Sequence, residues 1–296
     1  MTQTVYEHGF LVVDKEPGMT SHDVVAIARR ALNTRKVGHA GTLDPMATGV
    51  LVLGFNNGTR LLQYITDGDK SYQATIVLGA STITDDFEGE VIATADASKV
   101  TDDQIQAELN TMRGTFMQRP SSVSAVKVAG ERAYDRVRAG EVVVLASREV
   151  TVSQLDVLAI RRVAMKIEID IEVTCSAGTY IRSIARDCGD ALKVGGHLSA
   201  LRRTRVAGFG IDNAVSLAAL KSGEFSTLEL ADVARSTFPV REISLEEKLE
   251  LSFGRTLAPN ASEGIYAGLS TANELIALLS NVDGKAKPIA VFAAAH

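Results

Sequence analysis

The sequence contains no tryptophan, two cysteines, six prolines and five histidines in 296 residues, and it has no surplus of positive charge. Cys175 and Cys188 are too few for a disulfide framework, and neither has a CxxC or HxxxC companion that would suggest metal ligands. The histidines (His8, His22, His39, His197 and His296) are scattered, with no pair at helical ligand spacing, so a zinc centre is not expected. No run reaches ~18 apolar residues and no basic-then-apolar leader follows Met1; the chain is therefore expected to lack a membrane span and a secretory signal and to stay in the cytoplasm. A phosphate loop of the form Gly-x-x-x-x-Gly-Lys-Ser/Thr is also missing, so no nucleoside triphosphate is implied. What is present suffices for a full core: 46% hydrophobic and 23% charged residues exclude disorder and fibre, and the length allows more than one domain.

The formal charge of -5 argues at first against a polyanionic partner. A polyanion, however, feels only the field within a Debye length of ~8 Å. From Arg29 to Lys70 there are six basic and three acidic residues, from Met112 to Arg138 six and two, and from Arg182 to Arg205 six and two. Between Ile83 and Glu108, by contrast, eight acids face Lys99 alone. The basic windows are compatible with ordinary solvated faces or with an RNA-binding groove, and charge alone does not separate the two.

Phe10–Val13 reads as a buried strand, followed by a turn at Pro17–Gly18 and a helix opened by the capping box Thr20-Ser-His-Asp23. Val50–Leu53 reads as a second buried strand. Tyr72–Leu78 and Lys166–Cys175 alternate apolar and polar residues as half-buried strands do. Thr101-Asp-Asp-Gln104 caps another helix, and Ser176-Ala-Gly-Thr179 opens one with Ile181, Ile184, Ala185 and Cys188 on one face. Strands and helices without a regular βαβ rhythm predict an α/β (α+β) domain over residues 1–240. Residues 241–296, with short strand-like runs and the hairpin signal Asp283-Gly284, predict a small β-rich appendage packed on it.

The chemistry concentrates in Gly38-His-Ala-Gly-Thr-Leu-Asp-Pro-Met-Ala-Thr-Gly49, an irregular link between helix and strand. Pro45 disfavours the α region for Asp44 and holds its carboxylate on a stiffened, extended segment, which suits a group that must be presented rigidly. Taken alone, an Asp-Pro turn is the plainer reading. The stretch resembles the GHxGxLDPxATG signature of the TruB family of bacterial tRNA pseudouridine synthases, which act on the uridine of the TΨC loop. Leu11 to Ser21 is similar to that family's LxxDKPxGxTS entry, with Glu16 as an extra residue. Asp69-Lys-Ser-Tyr72 resembles its DKxY motif and Pro120 to Lys127 its PxxxSAxK segment. Gly178-Thr-Tyr-Ile-Arg182 and Gly196 to Arg203 resemble its GTYIR and GxHxxxLRR motifs. Departures are Ala177, where many relatives carry a basic residue, Val123, where an aromatic is common, and Ile83, where a Thr-Asp-Thr pattern is usual.

The resemblance implies the pseudouridine synthase fold, a mixed and largely antiparallel central sheet flanked by helices, with a PUA-like RNA-binding domain at the C-terminus. It also implies an isomerisation that needs no cofactor and no metal. Asp44 is by resemblance the essential carboxylate, which either attacks C1′ or removes a sugar proton. Arg182 would pair with Asp44, a surface arginine being the alternative. Tyr72 corresponds to the family's active-site tyrosine, and Leu201 to an apolar residue of its uracil pocket; each would otherwise be core. His39 matches the histidine that fills the space of a flipped base. Lys15, Lys70, Lys127, Arg202 and Arg203 are phosphate-contact candidates, with solvated surface charge as the alternative. The expected partner is the tRNA T-arm, without membrane or obligatory protein partner, on a basic cleft in an otherwise acidic body. Two other readings stay open: a guide-RNA-dependent synthase, and an RNA-folding module without turnover. The intact Asp44, Tyr72 and Arg182 and the lack of a long basic tail speak for the stand-alone enzyme.

Overall fold

The computed structural model describes residues 6–122, 127–128, 131–132 and 145–293. By packing, the chain forms two compact units, one of residues 1–44, 50–66 and 207–296, the other of residues 45–49 and 67–206. No helix among the described residues is long and apolar enough to cross a membrane.

In the first unit, strand β1 (Gly9–Lys15) lies between Val215–Ser216, to which it runs parallel, and β3 (Thr48–Phe55), which pairs antiparallel with β2 (Val37–His39). Phe10 to Val13 are at most 2% exposed, as an uninterrupted apolar run requires. Both halves of the expected capping box form before the helix Ser21–Ala31: Asp23 N donates to Thr20 Oγ1 at 3.2 Å and Thr20 N to Asp23 Oδ2 at 2.8 Å. That helix buries Val24, Val25, Ile27 and Ala28. The C-terminal part is a four-stranded sheet of Val240–Ile243, Ile265–Ser270, Leu275–Val282 and Lys285–Val291. Asp283 and Gly284 both take positive φ (54° and 71°), the requirement of a two-residue hairpin turn of the primed type. A helix, Leu245–Ser252, covers the sheet's core at Leu251 and was not anticipated. Its signal is nonetheless local, since Ser244 and Glu247 form a further complete capping box.

The second unit holds a mixed sheet. Strands β4 (Lys70–Leu78), β7 (Gly114–Gln118), β10 (Arg148–Val163), β11 (Lys166–Cys175) and β12 (Gly196–Val206) run antiparallel in the order β12-β4-β11-β10-β7. Thr48 and Gly49 of β3 pair parallel with Arg202 and Arg203 at the β12 edge. Two further antiparallel pairs, β5–β6 (Ala80–Thr82, Val91–Thr94) and β8–β9 (Lys127–Val128, Glu131–Arg132), lie among the unit's described residues. The alternation in β11 appears as designed by its sequence: Ile167, Ile169, Ile171, Val173 and Cys175 are buried and the residues between them are not. The helix Asp102–Thr111 has its Thr101/Gln104 box, and the helix Ile181–Ala191 buries Ile181, Ile184, Ala185 and Cys188. The α/β class with a mixed, mainly antiparallel sheet and a β-rich C-terminal part is therefore the one observed.

Candidate active site

In the first unit, the link around Asp44 is built from β2 outward. His39 pairs with Leu53, and Ala40 N donates to Val52 O at 2.9 Å, so the chain leaves the sheet in a defined direction. The next fixed point is Leu43, 3% exposed, whose N–H donates to Ser21 Oγ (2.9 Å) while the same hydroxyl donates back to Leu43 O (3.2 Å). Ser21 is itself 1% exposed at the start of its helix. One buried hydroxyl therefore clamps both polar groups of the residue preceding Asp44, and Asp44 is left only partly buried, within reach of a ligand. The His39 ring meets His22 edge to face, with centroids 5.6 Å apart. Lys15 is fully buried, its Nζ donating to the Glu16 carbonyl at 2.9 Å.

In the second unit, Tyr72 sits on the buried face of β4, where its cross-strand partners are Arg203 on β12 and Val173 on β11; Ala74, two residues along, faces Leu201. Directly opposed residues of antiparallel strands share a face, so Tyr72, Leu201, Arg203 and Lys70 lie together. Gly49 explains the tight approach beside them. It takes φ 99°, and a Cβ there would run into the backbone of Arg203. Burial, with Arg203 close by, holds the Lys70 ammonium below the ordinary lysine range, and its Nζ donates to Gly68 O at 2.7 Å. Burial pushes the Cys175 thiol up to about 11 and that of Cys188 up to about 12, so both are neutral thiols near pH 7.

The Ile181–Ala191 helix places Arg182. Gln118, 1% exposed at the end of β7, caps its start, accepting from Tyr180 N (2.8 Å) and donating to Tyr180 O (3.0 Å). Gly178, at φ 88°, makes the preceding turn, over which Arg148 stacks on the Tyr180 ring. The Arg182 side chain is 5% exposed; Nη1 donates to Thr84 O at 2.8 Å, approaches Ser121 Oγ at 3.5 Å and lies 3.3 Å from Asp86 Oδ2. Asp86 is itself held in a tight turn: Oδ1 accepts from Thr84 Oγ1 (2.6 Å) and Glu88 N (3.1 Å), and its carbonyl accepts from Thr82 Oγ1 (2.7 Å).

These placements change part of the expectation drawn from charge. Lys15, Lys70 and Arg203 are 0%, 6% and 1% exposed, so none presents a solvated charge, and the phosphate contacts expected of them are withdrawn. Arg202, half-buried with Nη1 3.4 Å from Thr48 Oγ1, keeps that candidacy. Lys127 lies in the two-residue strand β8, while residues 123–126 of the Pro120–Lys127 segment, Val123 included, lie outside the described residues. The acidic stretch after Ile83 is likewise not wholly a solvated body. Asp85 and Asp86 are buried at 8% and 3% and are paired to arginines of the Ile181–Ala191 helix. Neither was marked in the sequence, where Asp85 and Asp86 are two of eight acids in one acidic stretch.

Comparison with known proteins covers nearly the whole chain. Residues 29–181 match the model of the TruB family pseudouridylate synthase N-terminal domain. Residues 182–233 match a tRNA pseudouridylate synthase B C-terminal domain and residues 238–293 a tRNA pseudouridine synthase II C-terminal domain. Proteins named tRNA pseudouridine synthase B from Arthrobacter sp. (strain FB24) and Mycobacteroides abscessus are 51% and 49% identical, covering 96% and 100% of this chain and the same shares of their own. Among solved structures, an H/ACA ribonucleoprotein bound to a substrate RNA containing 2′-deoxyuridine is similar at a TM-score of 0.71 and 25% identity, covering 96% of this chain and 85% of that one.

Proposed function

Because the chain belongs to the TruB family of pseudouridylate synthases, we propose that it isomerises the TΨC-loop uridine, uridine-55, of tRNA to pseudouridine. In this reaction the N1–C1′ bond breaks, the uracil turns, a C5–C1′ bond forms, and the C5 proton is lost while N1 gains one. Asp44 is the catalytic carboxylate, acting on C1′ or on a sugar proton. Arg182 supplies positive charge to the reaction, Tyr72 stacks on the base and assists proton transfer at C5, and Leu201 lines the uracil pocket. His39 takes the space vacated by the flipped base. Arg202 and Lys127 contact phosphates, and residues 241–296 serve as a PUA-like RNA-binding domain.

The observation that carries this reading is the arginine of the Gly-Thr-Tyr-Ile-Arg segment. Its guanidinium is almost fully desolvated, and its Nη1 meets a buried carboxylate and two further oxygens. A cation held so rigidly is costly to bury, and such an arrangement is typical of sites that must orient a charge. A second support is the Ser21 clamp, which fixes the residue before Asp44 while leaving the carboxylate accessible.

The test uses T-arm RNA labelled with tritium at uracil C5. The wild type is expected to release label without added cofactor or guide RNA, whereas Asp44→Asn binds the RNA and releases none. Retained label with tight binding by the wild type points instead to an RNA-folding module. Normal turnover by Asp44→Asn removes the catalytic assignment.

A further inference from the structure

One turn beyond Arg182 the same helix carries Arg186, and its partner is the residue adjacent to Asp86. Arg186 Nη1 lies 3.1 Å from Asp85 Oδ2, with side chains 12% and 11% exposed. Its other nitrogens donate to the Arg119 carbonyl at 2.7 Å and to Asp187 Oδ1 at 2.8 Å. Consecutive residues of an extended chain point in opposite directions. Here Asp85 takes φ 60°, a left-handed conformation that aspartate tolerates but few other side chains do. With that reversal, two neighbouring carboxylates reach two guanidiniums one helical turn, ~5.4 Å, apart. The turn is anchored from a third side, because the Asp85 carbonyl accepts from Leu198 N of β12 at 3.0 Å. Backbone held in a sparsely populated region and over-determined by its surroundings is characteristic of functional sites.

We propose that Asp85 and Arg186 are a positioning pair for the isomerisation: they lock the Asp86 turn against the helix, so that Arg182 is presented in a single orientation. The proposal rests on the role given to Arg182 above. Neither residue of the pair touches substrate; both act through their neighbours. Burial at Asp85 outweighs the attraction of Arg186 and moves its carboxyl above the ordinary aspartate range, with Ser121 and Arg182 opposing this, and Asp86 and Asp187 are the acids beside the pair. A carboxyl whose value is raised in the folded state contributes stability that is present below its unfolded value and lost as pH rises through the raised one. Burying this pair carries a desolvation cost that an apolar pair in the same place would not, so its position between helix and turn, more than stability, is what it supplies.

The test compares Asp85→Asn and Arg186→Lys with the wild type in the tritium-release assay on T-arm RNA. Asp85→Asn is expected to lower kcat ~10-fold or more, because small misplacements of an orienting group are costly, while KM for the RNA stays within about twofold. Removing one partner of a buried pair leaves the other charge uncompensated, so a lowered thermal midpoint at pH 7 is expected, with the fold retained at the assay temperature. Arg186→Lys keeps the charge but loses the fork, and it should give the same loss in kcat; the double variant should be no slower than either single one. Normal kcat in both variants overturns the proposal, as does a KM for the RNA that rises in both by as much as kcat falls. Should one variant fail to fold, the other decides. A wild type that releases no label removes both the reading of the site and this pair; a working wild type with normal variants removes the pair alone.

Discussion

Ser21 shows how little of the site lies in the groups that do chemistry. Its hydroxyl satisfies the N–H and the C=O of Leu43, so no backbone group of the residue before Asp44 is left seeking water. Ser21→Ala removes both bonds at a buried position, and a cost of about 1–3 kcal/mol in stability is expected, measurable by urea denaturation. The rate is expected to fall with it, ~10-fold in tritium release with RNA binding retained, since Asp44 loses the anchor that sets its direction. At the same scale, Asp44, Tyr72 and Arg182 were legible as motif residues before any fold was known. Asp85 and Asp86 were not, because nothing in a run of acids marks which two will be buried; that depends on the arginines that fold against them.

Elements were most legible where their signals are local. Capping boxes at Thr20 and Thr101, the strict alternation of β11 and the Asp283-Gly284 turn all appear in the structure as the sequence indicates. The strand Arg148–Val163 was not foreseen: its alternation breaks over Asp156–Arg162, where its register with β11 also shifts. Gly49 belongs to this scale, since its need arises only from the pairing of β3 with β12. Both its positive φ and the adjacent Arg203 backbone exclude a side chain, so Gly49→Ala is expected to cost at least ~1–3 kcal/mol, read as a lowered urea midpoint. The same substitution at Gly208, where the nearest atom to a new Cβ is 4.0 Å away, is expected to leave the midpoint nearly unchanged and serves as the control.

For the whole molecule, the net charge of -5 is the least informative quantity, because opposite charges are segregated along the chain. If Arg202 and the basic windows face RNA, affinity for T-arm RNA falls as salt rises, by ~10-fold or more between about 50 and 200 mM, and filter binding at several salt concentrations measures the slope. A flat response removes the electrostatic part of the reading. Composition, periodicity, caps and motif spacing were enough for the fold class, the main elements and the residues worth testing, since each is a property of short stretches of chain. Which charges are buried could not be read in this way. Lys15, Lys70 and Arg203 look like surface cations in a sequence, and Asp85 and Asp86 look like surface anions. Their desolvation, and the pairing that makes it tolerable, arise only when segments as distant as residues 85 and 186 pack together.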